Sequence, residues 1–256
     1  MFEQFEISQD IMVFYKPADK QEMLQVFEKI KPQLDKIDEI LYQNLSTPLR
    51  VYFTDSMLSV MFHTTTFGKK IAMFILLPFW YGKAKKYWNY SKGWLMKNNL
   101  LNSIVVKNSD GIKKSISMNK VVYKEEFEPK SIVEQQRRVF LHQYVQALLS
   151  KTRKPEWLEE GLSYMILEKY YGSSIIKEET LQMVQGLPES SVEDIIFSGI
   201  KGYWMIKYID RNYPDLLDKL LKDIAEGTVE SLEESLFSNL DGVDDKKTLF
   251  EKAVEQ

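Results

Sequence analysis

The sequence of 256 residues contains no cysteine, which excludes disulfides, thiol nucleophiles and cysteine-ligated metals. Histidine is nearly as scarce, with His63 and His142 the two in the chain. Arginine is confined to Arg50, Arg137, Arg138, Arg153 and Arg211. So few planar guanidinium forks leave little with which to read bases or clamp phosphates. The net charge of −3 and isoelectric point near 5.7 give no global pull toward nucleic acid, and none is expected as a partner. Long apolar runs are missing too: the most apolar stretch, 71–81, is far short of the roughly 20 residues that span a bilayer. The acidic start, Met1-Phe2-Glu3-Gln4-Phe5-Glu6, lacks the basic region of a signal peptide, so the expected location is cytoplasmic.

What is present is enough to build a core. Hydrophobic residues make up 44% and aromatics 13% of the chain, which excludes a disordered polymer. Short apolar runs predict strands at 11–15, 49–53 and 104–106, the last entering a hairpin through the turn signal Asn108-Ser109-Asp110-Gly111 and a strand at 115–118. Residues 121–123 can add another strand. Asp19 with Glu22 predicts a capping box opening a helix, in which Phe27, Ile30, Leu34, Ile37 and Leu41 share a face. Pro32 should divide that helix near Ile30. Asp55 is expected to cap a short helix bearing Met57, Val60 and Met61. Ser131 with Glu134 opens a longer helix, Pro155 starts another, and Ser190 with Glu193 caps a third that runs to about Tyr213. Helices at 215–225, 229–240 and 246–254 complete the chain. Strands in the first half and helices in the second, without βαβ alternation, indicate an α+β fold. The expected division is an α+β core at 1–180 and a helical subdomain at 181–256, unless the two are continuous.

The stretch 71–81 is bracketed by Lys69, Lys70, Lys83, Lys85 and Lys86 and contains Phe79-Trp80-Tyr81. Lysine flanks and aromatics suit an anchor at a membrane surface. A buried segment or a partner-binding hairpin is the reading favoured, because short apolar runs usually belong to a core.

Two runs carry the chemistry. Val139-Phe140-Leu141-His142-Gln143-Tyr144-Val145-Gln146 holds the frame H-Q-x-x-Q, and Pro155-Glu156-Trp157-Leu158-Glu159-Glu160-Gly161 follows it. A zinc-binding helix reads H-E-x-x-H, with two histidines one turn apart and a glutamate as general base. Together these runs resemble the peptidase MA-like gluzincin metallopeptidases, best from 101 to 227, and imply a zincin-like core with a mixed or antiparallel sheet. The resemblance puts His142 at the first zinc ligand, Gln146 at the second, Gln143 at the general base and Glu160 at the third ligand. An amide is a weak zinc ligand and cannot take a proton from water near neutral pH. Phe197-Ser198-Gly199 falls where the family carries an aromatic hydroxyl, with Tyr203 a poor substitute. An engineered trap would keep both histidines, so the pattern points to natural decay. The resemblance further implies that Ile104, Val105 and Val106 form the antiparallel edge strand of a ligand groove, with Tyr203 nearby. No zinc or other cofactor is expected, and His142 and Glu160 are the residual metal candidates. The expected protein is a pseudo-peptidase that binds a peptide or protein in its groove. Metal-free hydrolysis at His142 and Glu160, or attachment to a membrane through 71–81, are the alternatives. His63 is expected to be a solvated loop residue.

Overall fold

The computed structural model describes residues 2–65, 70, 79, 81–82, 84–85, 88–89, 91–96, 102–115, 122–150, 152–185 and 194–255. The chain gathers into two compact units. One comprises Met1–Gln33, Leu45–Met118 and Pro129–Tyr144; the other comprises Leu34–Asn44, Asn119–Glu128 and Val145–Gln256.

The first unit is built on five strands: β1 (Glu3–Ser8), β2 (Ile11–Tyr15), β3 (Leu49–Phe53), β4 (Gly93–Met96) and β5 (Asn102–Val106), in the order β1-β2-β3-β5-β4. Strands β2, β3 and β5 run parallel, while β1 and β4 lie antiparallel at the two edges. Parallel strands covered on both faces read as continuous apolar runs rather than alternating ones. Ile-Met-Val-Phe-Tyr of β2 and Ile-Val-Val of β5 do so, and most of their residues are buried. This corrects the expected place of Ile104, Val105 and Val106. They lie in an inner strand, with β3 and β4 pairing on either side, and none of the three is exposed. The antiparallel edge beside them is β4, which the aromatic, lysine-rich composition of the segment before Gly93 conceals.

Helix α1 (Lys20–Phe27) and helix α2 (Lys31–Ile40) are separate. Pro32 falls in the first turn of α2, where its missing N–H costs nothing. The capping box expected at Asp19 and Glu22 is not made. Both carboxylates reach instead to the end of β5. Asn108 Nδ2 donates to Asp19 at 3.0 Å, and the backbone N–H and hydroxyl of Ser109 donate to Glu22 at 2.7 and 2.6 Å. Asn108–Gly111 is accordingly not a hairpin turn; Asn108 caps a short helix, α4 (Ser109–Lys114), by accepting from the Gly111 N–H at 3.1 Å. Of the strand expected at 115–118, Ser115 is the extended C-cap of α4, and 116–118 lie outside the described residues. Helix α3 (Met57–Thr64) is capped by Ser56 rather than Asp55, which lies within salt-bridge reach of Lys16 and Lys114. Helix α5 (Ile132–Leu149) opens as expected: Ser131 accepts from the Glu134 N–H at 3.1 Å and Glu134 accepts from the Lys130 N–H at 2.8 Å. Phe140 packs edge-on against Phe27, 5.1 Å between centroids, and so ties α5 to the core of this unit.

The second unit is mainly helical: α6 (Glu156–Tyr171), α7 (Glu179–Gln185), α8 (Asp194–Asn212), α9 (Pro214–Glu226), α10 (Leu232–Phe237) and α11 (Lys246–Val254). Helices α6 and α8 touch backbone to backbone. A Cβ on Gly202 would lie 1.9 Å from the Trp157 carbonyl oxygen, and one on Gly161 would lie 2.4 Å from the Gly202 carbonyl carbon. No side chain fits either position. Of the strand expected at 121–123, Val121 lies outside the described residues, and Tyr123 forms an isolated bridge to Ile176. The caps expected at Ser190 and Glu193 lie outside the described residues. Among the described residues no helix is long and apolar enough to cross a membrane.

Candidate functional site

Helix α5 carries His142, Gln143 and Gln146, and residues four apart on a helix share a face. The division between the units falls between Tyr144 and Val145. In the first unit His142 is half-buried and Gln143 is 9% exposed. Gln143 Oε1 is buried and accepts no hydrogen bond among the described residues. Gly93, the first residue of β4, backs onto the same helix. A Cβ there would lie 2.5 Å from Val139 Cγ1, one turn before His142 and Gln143. The antiparallel edge strand therefore starts against the helix that bears the H-Q-x-x-Q frame.

In the second unit Gln146 is 6% exposed, and its Nε2 donates to Glu160 Oε1 at 2.5 Å. Glu156 and Glu159 occupy the first turn of α6, so Glu160 owes less to the helix dipole than its sequence position suggests. One turn on, Tyr164 lies beside Tyr123, with centroids 6.5 Å apart. Burial, then the Tyr123 phenol and the Glu160 charge, hold the Tyr164 hydroxyl well above its ordinary pKa. It stays protonated through the physiological range. Tyr123 is fixed by paired backbone bonds: Lys124 N–H to the Ile175 carbonyl at 3.0 Å and Lys177 N–H to the Val122 carbonyl at 2.9 Å. Gly199 faces this group from α8; a Cβ there would lie 3.3 Å from Glu160 Cβ and 3.4 Å from Tyr164 Cε2. Sequence reasoning missed Tyr164, although its place four residues after Glu160 on one helix was the available signal. Tyr123 had none, since a long chain separation precedes its bridge.

Tyr203 does not serve the groove role expected of it. It is fully buried, and its hydroxyl donates to Glu168, with Ser174 at 3.2 Å and Lys207 Nζ at 3.0 Å. Burial and the Glu168 bond raise its pKa. His63 lies in the last turn of α3 rather than in a loop, and it is exposed, as expected of a solvated histidine. Its Nδ1 shares a 3.0 Å hydrogen bond with the Tyr52 hydroxyl, and Phe2 and Phe14 pack on its ring. Burial, then Arg50 and Lys70, lower its pKa.

Among the described residues no three His, Asp or Glu side chains gather into a metal-binding group. The residues do not fit a gluzincin zinc: the amide of Gln146 is turned to donate its N–H to the carboxylate that would be the third ligand. A carboxylate bonded in this way, beside the protonated Tyr164 phenol, can hold a polar ligand. No family model matches the chain, and no curated protein matches it.

Proposed function

We propose that the chain is a catalytically inactive, gluzincin-like pseudo-peptidase, a binding or scaffold protein that uses the groove of its former active site. The observation that carries this reading is the hydrogen bond from Gln146 to Glu160. Two positions fourteen residues apart, which the resemblance assigns to a single ligand sphere, are in contact, and the contact is an amide–carboxylate bond. Support comes from the first unit as well, where an antiparallel edge strand starts against the turn preceding His142. In this reading β4, with Trp94, Leu95 and Met96, takes the substrate-strand role that the sequence assigns to Ile104, Val105 and Val106.

The test uses purified protein, a pool of extended peptides and metal analysis. Retention of a subset of peptides without cleavage, and without stoichiometric zinc, is the expected result. Cleavage that a chelator abolishes and added zinc restores would overturn it.

A further inference from the structure

The charge of this chain is unevenly distributed. Between Ser56 and Ser109 there are eight lysines and no aspartate, glutamate or arginine, although the chain as a whole carries −3. The same stretch contains Phe79-Trp80-Tyr81, Tyr87-Trp88, Tyr90 and Trp94. Lysine with tryptophan and tyrosine suits a surface that meets the membrane interface, and the absence of arginine leaves no bidentate fork of the kind used to read nucleic acid.

The described residues show which side of this stretch is held down. Tyr81, Ala84 and Trp88 are helical, three and four residues apart, and pack on the cluster of Phe14, Tyr52, Met57, Val60 and Val105. Lys107 fastens the same stretch from beneath, donating to the Trp88 carbonyl. Phe79 is helical as well but 86% exposed, and Lys85, also exposed, lies with its Nζ 5.8 Å from the Tyr81 ring centroid. Among the described residues of this stretch, Tyr81, Ala84 and Trp88 therefore face the core while Phe79 and Lys85 face outward. A single exposed phenylalanine is ordinary on a protein surface. One set in a lysine block free of acidic residues is a different matter, because no carboxylate within that stretch of chain neutralises the positive charge.

We propose that this face of the first unit docks on an anionic phospholipid surface, with Phe79 entering the interface, Lys85 meeting the headgroups and the net positive charge of the stretch adding to the attraction. Apolar insertion and attraction to anionic lipid act together in such anchors, and neither alone holds a protein firmly. The proposal is independent of the pseudo-peptidase reading, since it uses neither Gln146 nor Glu160.

Co-sedimentation of the full chain with phosphatidylcholine vesicles, with and without about a quarter phosphatidylserine, tests it at roughly 0.1 M salt. Binding should be at least about tenfold tighter to the anionic vesicles, given the contribution of each lysine near such a surface. Lys83→Glu/Lys85→Glu/Lys86→Glu should remove most of it. Phe79→Ser, an exposed position where unfolding is not expected, should weaken it about fivefold or more, as loss of a buried aromatic group would. Equal binding to both vesicle types, or no binding to either, overturns the proposal. So does a Phe79→Ser variant that binds like the parent while duplex DNA competes both off the vesicles, since that would mark a general polyanion site.

Discussion

Each compact unit buries a lysine, and the two are held in opposite ways. Lys107, 1% exposed, has neutral hydrogen-bond and ring partners: the Trp88 carbonyl, the Ser115 hydroxyl at 2.8 Å, and the faces of Trp88 and Trp94 with centroids 5.4 and 6.0 Å away; the charge of Asp55 opposes the effect of burial without outweighing it. Lys207 has an anion: it donates to Glu168, which also accepts from Tyr203. A buried charge with neutral partners is still penalised by desolvation and remains titratable. One paired with an opposite charge is locked, because removing either partner strands the other. Glu160 sits two turns before Glu168 on α6, and its bond from Gln146 is of the neutral kind. The contrast separates a fold-locking carboxylate from one still open to a different partner.

The largest effect expected from that contrast is a gain. Gln143→Glu with Gln146→His would rebuild the gluzincin ligand set around Glu160 without disturbing the Glu168–Lys207 pair. Even outer-shell changes alter metal affinity by roughly 10–100-fold, so a restored imidazole should raise zinc affinity by more than about a hundredfold. Turnover should stay weak, because Phe197-Ser198-Gly199 falls where the resemblance expects an aromatic hydroxyl to steady the oxyanion. Titration with a metal indicator decides it: equal affinities for parent and variant would remove the basis of the pseudo-peptidase reading.

Next is Lys207→Met, which strands Glu168 in a buried setting and should cost about 3 kcal/mol in denaturant unfolding. Adding Glu168→Leu should return most of that loss. A loss below about 0.5 kcal/mol for the single variant, as at an ordinary surface position, would show that the pair is solvated. Gln146→Leu should cost less, about 1 kcal/mol, because Glu160 is half-buried and water can replace the amide. If it costs as much as Lys207→Met, the neutral and ionic partners do not differ as argued.

The legible parts of the fold were those written in local chemistry. Pro32 marked the break between α1 and α2, Ser131 and Glu134 marked the start of α5, and the apolar runs marked the three inner strands. Strand order was not legible. The run at Ile104, Val105 and Val106 looks the same in an edge strand and an inner one, and β4 hides in a segment whose tryptophan and lysines read as a turn. Asp19 and Glu22 match a capping box by spacing, but a carboxylate can serve a distant N–H as well as a near one, and Ser109 took Glu22. At the candidate site, the nearness of Gln146 to Glu160 could be expected from the motif pair. The commitment of Tyr203 to Glu168 could not, since it depends on how closely Gly161 and Gly202 let α6 and α8 approach.

The smallest expected effect concerns pH and the first unit. Burial lowers Lys107 from an ordinary value near 10.5 to about 8, and Lys92 likewise to about 8. Below pH 8 both lysines are protonated in the folded and the unfolded chain, so neither contributes a slope. Above pH 8 the native state releases these protons while the unfolded chain still holds them. The unfolded state then binds more protons, and stability rises with pH until the unfolded lysines titrate near 10.5. Each group should add about 1 kcal/mol between pH 8 and 9. Tyr164 and Tyr203 work in the opposite direction, but only above pH 10, where unfolded phenols begin to ionise. Lys107→Met should therefore halve the rise between pH 8 and 9 while changing stability at pH 7 by less than about 1 kcal/mol, since the lost bonds and the lost desolvation cost oppose each other. Urea unfolding of parent and variant across that range reads the difference directly. An unchanged slope in the variant would mean that Lys107 is not the titrating charge, and that its neutral partners hold it no differently from an exposed lysine.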